Sequence, residues 1–397
     1  MSTENHPKPL CYAPFYNVYL RASSQESRVC CMSTQSHRLE SNEMSEVFNN
    51  STAQSIRRAM LNNEWHPSCT RCEERETLGL ESDRQMYDAW YESAVENGVI
   101  PAEEKHRELM PEPRWADIRP SNLCNLKCRM CYPDNSTEVA REWATLAGPE
   151  NNTILDNSYD KDQLTQFSQR KQYELPELNR VVNLKLLGGE PTVQREVFDI
   201  LKNTEYNEHS KVDITTNATT RQQFNGIEPY LKDVAQVGWC VSIDGTEAAY
   251  EYVRTPARWE RFTEAVEYLL SKPFARLNTV VTFHFVLQAW NWHSVTDTIQ
   301  YIEDLKLRQD GEKPWGHCGL TIQPVDQPWL GLAVIPLEER NRELAKLKKN
   351  FPRRWGELKK WSDQTPFDST LHTRFQAYTD LLDQKRGTKF KSINPRI

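Results

Sequence analysis

Six short apolar or alternating runs give the chain its frame: WADIR (115–119), NLKLLG (183–188), KVDITT (211–216), VGWCVSI (237–243), TVVTFHFVL (279–287) and GLTIQPV (319–325). All but NLKLLG carry β-branched or aromatic residues, and NLKLLG alternates polar with apolar positions, which predicts strands. Between them lie stretches with apolar residues at helical spacing: REVFDILKNT, FNGIEPYLKDV, WERFTEAVEYLLS and VTDTIQYIEDL. Strand and helix alternating in this way predict an α/β fold of parallel βα units, either a doubly wound sheet or a barrel. In both, the working site lies at the carboxy-terminal ends of the strands.

Outside that frame the pattern changes. The first 75 residues hold short pieces, YNVYL with alternating polarity and SIRRAML with helical spacing, and cysteines fall at their joints. Residues 76–113 read as polar helix and linker. Residues 135–178 are too long and polar for an ordinary crossover and predict an exposed insertion. From 337 onward the chain is helical and charged, with a break at NFPRR. The predicted organisation is a small module over 1–80, a helical linker over 81–113, an α/β domain over 114–330 and a helical extension over 331–397.

Composition narrows the setting. With 397 residues, 38% hydrophobic and 26% charged, the chain is long enough for a sizeable core. No apolar run approaches the roughly 18 residues of a membrane span. The opening MSTENHPKPLCYAP has neither a basic n-region nor an apolar h-region, so a cytoplasmic protein is expected. A net charge of −7 argues against a nucleic-acid coat, and the basic KLKKNFPRRWGELKK reads as a solvated helical face. Ten cysteines then need an explanation, because structural disulfides are rare in a reducing cytosol. Cys11, Cys30, Cys31, Cys69 and Cys72 lie early, Cys124, Cys128 and Cys131 form one cluster, and Cys240 and Cys318 stand apart.

The cluster CNLKCRMC supplies three thiols, one short of a closed tetrahedral metal site. The fourth position belongs to a ligand from elsewhere or is left open for a cofactor. The cluster follows the first predicted strand, GGEPT (188–192) the second, TTNAT (215–219) the third and SIDGT (242–246) the fourth. In this order the motifs resemble those of radical S-adenosylmethionine (SAM) enzymes, over roughly residues 115–325. The resemblance implies a partial (β/α)6 barrel and a 4Fe–4S cluster on Cys124, Cys128 and Cys131, with SAM on the fourth iron. It further implies that Gly188, Gly189, Glu190 and Pro191 receive the SAM amino group, and that Thr216 and Asn217 lie near its ribose and methionine portion. Ser242 and Arg254 match residues that bind its carboxylate, and Leu320 matches an adenine-packing residue. Where the family usually has an aromatic residue before the last cysteine, this chain has Met130, with Tyr132 nearby.

The amino-terminal stretch CYAPFYNVYLRASSQESRVCC, followed by CTRCEERE, resembles the auxiliary-cluster module called SPASM or its shorter form, the twitch domain. That likeness implies a second 4Fe–4S cluster on Cys11, Cys30, Cys69 and Cys72. Cys31 is left over, and an exchange with Cys30 stays open. The module normally follows the barrel, whereas here it precedes it. A zinc site would use the same C-x2-C spacing.

The resemblance implies cleavage of SAM to a 5′-deoxyadenosyl radical, hydrogen abstraction from a peptide or protein side chain, and a donor such as flavodoxin or ferredoxin. The alternatives are two-electron dehydrogenation of a small alcohol or amino sugar, and a zinc-stabilised nucleic-acid or protein binding module. Cys240 and Cys318 read as small buried hydrophobes, and Asp244 as a turn residue or a catalytic one. His284, His293 and His317 read as proton carriers or as structural histidines.

Overall fold

The computed structural model describes residues 9–77, 81–151, 153–155, 158–169, 174–178, 181–270, 279–309 and 316–394. The fold is α/β, with a parallel sheet and helices. The chain divides into two compact units, one of residues 1–121, 171–214 and 230–237, the other of 122–170, 215–229 and 238–397.

The first unit contains β1 (Asn17–Arg21), β2 (Glu26–Arg28), β3 (His37–Arg38), β4 (Trp115–Arg119), β5 (Asn183–Leu186) and the start of β6 (Lys211–Thr216), in the order β3-β2-β1-β4-β5-β6. The pairs β1–β2 and β2–β3 are antiparallel, whereas β1–β4, β4–β5 and β5–β6 are parallel. The amino-terminal segment therefore shares its sheet with the strand WADIR. Register aligns Leu20, Ile118, Leu186 and Ile214 across one face. All four are fully shielded from solvent, and burying each contributes about 1.5–3 kcal/mol. The other face, one residue out of phase, carries Tyr19, Asp117, Lys185 and Asp213 in a row.

A buried cation ties the amino-terminal pieces together. Arg57, on the helix Ser51–Leu61, donates to the carbonyls of Pro14, Phe48 and Glu108 and to the Asn49 side chain. Burial pushes its guanidinium down to about 10.

The second unit holds β7 (Gln236–Ser242) from Gly238 onward, β8 (Thr279–Leu287) and β9 (Gly316–Pro324), with β8 and β9 parallel. In β8 every odd-numbered residue from Thr279 to Leu287 is buried. The stretch predicted as an exposed insertion contains two helices, Thr137–Leu146 and Lys161–Ser168. They bury Val139, Ala140 and Trp143, and Leu164 and Phe167, because their apolar residues recur at helical spacing. Other residues of that stretch lie outside the described ones. Among the described residues, no helix is long and apolar enough to cross a membrane.

Candidate functional site

The cysteine loop is held at many points within the second unit. Its backbone N–H groups at Lys127 and Arg129 donate to the carbonyls of Thr255 and Val253, at 2.8 and 2.9 Å. Asn125, inside the cluster motif, donates to Thr219 Oγ1 at 2.9 Å and accepts from Asn217 Nδ2 at 2.7 Å. The Ser136 hydroxyl donates to the Leu126 carbonyl, and Gln327 donates to that of Met130. Asn217, just after β6, thus fastens its segment to the loop carrying the three thiols.

Those thiols stand together. Burial pushes the Cys131 thiol well up, and negative charge on Cys128 and Cys124 raises it further. Burial also raises Cys128, an effect opposed by the adjacent Arg254 guanidinium. Dry, mutually repelling thiolates are costly alone and favourable against a metal, which binding exchanges for their protons. Arg254 is buried and paired with the fully buried Asp244. Asp244 Oδ1 in turn accepts from the Val286 N–H at 2.8 Å, and the Asp244 carbonyl accepts from Asn291. Arg254 Nε is buried and has no hydrogen-bond partner among the described residues. A cationic donor left over beside the thiols suits a ligand carboxylate.

The GGEP turn lies in the first unit. Gly188 and Gly189 have φ of +85° and +55°, a region that disfavours residues with a Cβ. A Cβ at Gly188 would stand 2.7 Å from the Arg119 Cβ. Glu190 is buried, and its Oε1 accepts from the Thr192 hydroxyl at 2.5 Å and N–H at 3.3 Å. In the second unit Thr216 Oγ1 accepts from the Ala218 N–H. Ser242 ends β7 half-buried, and Leu320 is buried on β9 opposite Phe283.

In the first unit Cys11, Cys30, Cys69 and Cys72 line one pocket with Tyr87 and Arg84, and Cys31 is not among its lining residues. The hairpin β1–β2 delivers Cys30, the short helix Pro67–Cys69 delivers Cys69, and the helix Thr70–Thr77 delivers Cys72. Burial raises all four thiols. Cys69 reaches about 11, and Cys11 feels both Cys69 and Cys72. Among the described residues, no three His, Cys, Asp or Glu side chains group tightly enough to hold a single metal ion. The four thiols are arranged around a pocket.

Residues 118–302 match the family model of the Radical SAM superfamily. The chain carries a radical SAM domain. That domain indicates an enzyme, and the family implies a 4Fe–4S cluster and SAM as cofactors. Two structures of SuiB from Streptococcus suis are similar, each at 13% identity and a TM-score of 0.33. The one bound to S-adenosylmethionine aligns over 75% of this chain and 61% of that chain. The one bound to precursor peptide SuiA aligns over 76% and 64%. HydG, a maturase of the [FeFe]-hydrogenase, is similar at 13% identity and a TM-score of 0.32, over 60% of this chain and 49% of that chain. The chain thus spans less than two thirds of the length of these proteins. No curated protein matches.

Several supports of the radical SAM domain are not evident in its motifs. Arg129, between the second and third cysteines, is fully buried and donates to the Tyr252 carbonyl, Asp383 and Thr388. Lys127 and Arg386 converge on buried Glu142. Asp383 and Arg386 come from the carboxy-terminal helix Ser369–Arg386, so that helix anchors the cysteine loop. Asp244, read as a turn or a catalytic residue, backs Arg254. His284 bonds Gln323 at 2.9 Å across β8 and β9. His293 is half-buried and held down to about 4, chiefly by burial of its ring. Cys240 is half-buried. The side chains of His317 and Cys318 lie outside the described residues.

Proposed function

We propose that the chain is a radical SAM enzyme of oxidoreductase type, working in the cytoplasm, that modifies a peptide or protein side chain. Cys124, Cys128 and Cys131 would hold three irons of a 4Fe–4S cluster and leave the fourth for SAM. When bound, cluster and cofactor supply one-electron reductive cleavage of SAM and hydrogen abstraction from the substrate. The chain's own part is to bind and orient. Arg254 Nε offers a charge-assisted bond to the SAM carboxylate, with Ser242 beside it, and Asp244 keeps the guanidinium turned. The backbone at Gly188 and Gly189, with Glu190 and Pro191, would take the amino group. Thr216 and Asn217 would flank the ribose and methionine portion, and Leu320 would pack on adenine in a partial (β/α)6 barrel.

Cys11, Cys30, Cys69 and Cys72 would hold an auxiliary 4Fe–4S cluster in a twitch-like module. Four protein ligands leave no iron open to SAM, which favours electron transfer or a structural clamp, and a flavodoxin or ferredoxin would supply the reducing electron. The observation that carries the reading is the buried Nε of Arg254, without a partner among the described residues, on a guanidinium that acts on the thiols of Cys128 and Cys131. The test is electron paramagnetic resonance of the anaerobically reconstituted, reduced protein. Addition of SAM should change the spectrum of the Cys124–Cys131 cluster, and a Cys69→Ala/Cys72→Ala protein should retain that change. An unchanged spectrum at saturating SAM refutes the proposal.

A further inference from the structure

The polar face of the first unit's sheet carries two charged side chains that each keep a buried atom without a hydrogen-bond partner among the described residues. Asp117 on β4 is 3% exposed, and its Oδ1 has no partner among the described residues. Its other oxygen faces Lys185 Nζ at 4.0 Å, beyond hydrogen-bond reach, and the Arg119 charge also acts on the carboxyl. Two residues along the same face, Arg119 Nε is likewise buried and unpartnered, and its guanidinium packs over the Tyr19 ring, 4.9 Å from the centroid. An unmet buried polar atom costs about 1–3 kcal/mol, and more when charged. Two of opposite sign on one strand end call for a ligand. Lys185 is 43% exposed beside Asp117, so the row opens to solvent at that point. The leftover thiol of Cys31 also feels Asp117, Lys185 and Arg119.

We infer that Asp117 and Arg119 are the two poles of a binding site for an amino-acid-like zwitterion, such as a free amino acid or a short peptide. Its ammonium pairs with Asp117 and its carboxylate with Arg119. A phosphate or a simple carboxylate would face repulsion from Asp117. A bare amine would leave Arg119 unmet. The two residues are separated by a two-residue rise, roughly 6.6 Å, which two hydrogen bonds and the ammonium–carboxylate distance of one small zwitterion can bridge. The site supplies the substrate class for the function proposed above and rests on that reading only for the chemistry that follows binding.

The test uses full-length, anaerobically reconstituted protein without reductant. Three probes are titrated by saturation-transfer NMR: glycylglycine, its N-acetyl form and its C-terminal amide. Glycylglycine should bind at least about tenfold more tightly than either blocked form, the difference expected for one lost charge-assisted bond. Asp117→Asn should erase the preference for the free amine and keep that for the carboxylate, and Arg119→Gln should do the reverse. If Arg119→Gln fails to fold, Arg119→Lys, which keeps the charge and lacks Nε, should weaken the carboxylate preference. Equal binding of the three probes, no binding of any at about 10 mM, or an unchanged amine preference in Asp117→Asn overturns the inference. SAM cleavage is measured separately on the same preparation. Its failure with the dipeptide preference intact overturns the proposed function alone, and the converse result overturns the zwitterion site alone.

Discussion

Replacing Arg254 by lysine keeps a cation against Asp244 while deleting the Nε donor. Alanine would be a poorer probe, since both partners of this ion pair are nearly solvent-free, at 7% and 0% exposure of their side chains. Stripping one partner from such a pair costs about 3–5 kcal/mol through the charge left behind, and a folding defect would then mimic a binding defect. Lysine avoids most of that penalty, although its single ammonium cannot reproduce the planar fork of donors. If Nε meets the SAM carboxylate, its loss removes one hydrogen bond to a charged group, about 1.5–3 kcal/mol. The dissociation constant should therefore rise roughly 10- to 150-fold. The assay is calorimetric titration of SAM into anaerobically reconstituted protein, after iron content and circular dichroism have matched the wild type. A dissociation constant within about twofold of wild type, with iron and fold intact, would refute the role given to Arg254.

The remaining predictions concern other elements. The reconstituted wild type should bind about eight irons. Cys30→Ala should lose about four of these and Cys31→Ala none, because Cys30 lines the four-thiol pocket and Cys31 does not. Equal loss in the two variants would show that they exchange. Gly188→Ala should lower the unfolding midpoint, since its φ of +85° and the 2.7 Å approach to Arg119 leave no room for a methyl group; an unchanged midpoint would contradict that packing. His293 has a folded pKa of about 4, below the ordinary value of about 6.5, so the unfolded chain takes the proton first as pH falls. Its contribution to stability is full above about pH 6.5 and is lost on the way down to about pH 4. Urea midpoints should fall more steeply over that window in wild type than in His293→Gln, and parallel slopes would exclude His293 as the cause.

The strands of the α/β frame were legible because their signal is local. KVDITT and TVVTFHFVL coincide with β6 and β8, whose buried residues alternate along the run. What the sequence hides depends on contacts between distant residues. YNVYL alternates as a strand should, but its parallel pairing with WADIR joins Leu20 to Ile118 across nearly a hundred residues. Asn125 looks like filler between two cysteines until Asn217 and Thr219 are found on either side of it. Nothing local in the sequence marks Arg129 or Arg386, and only the fold sets them against Asp383 and Glu142. The stretch 135–178 misleads because the polar, asparagine-rich sequence around its centre obscures two short amphipathic helices. Of Cys30 and Cys31, adjacent in sequence, only the hairpin geometry turns one into the pocket.

In the proposed function, three thiols and a leftover arginine donor make a centre that cleaves SAM. The most direct measurement incubates the anaerobically reconstituted, dithionite-reduced protein with SAM and quantifies 5′-deoxyadenosine and methionine by chromatography. Wild type and Cys69→Ala/Cys72→Ala should each give both products in equal amounts, and Cys124→Ala/Cys128→Ala/Cys131→Ala should give neither. Fully iron-loaded wild type that leaves SAM intact, or a triple variant that still cleaves it, would refute a SAM-cleaving centre on these three cysteines.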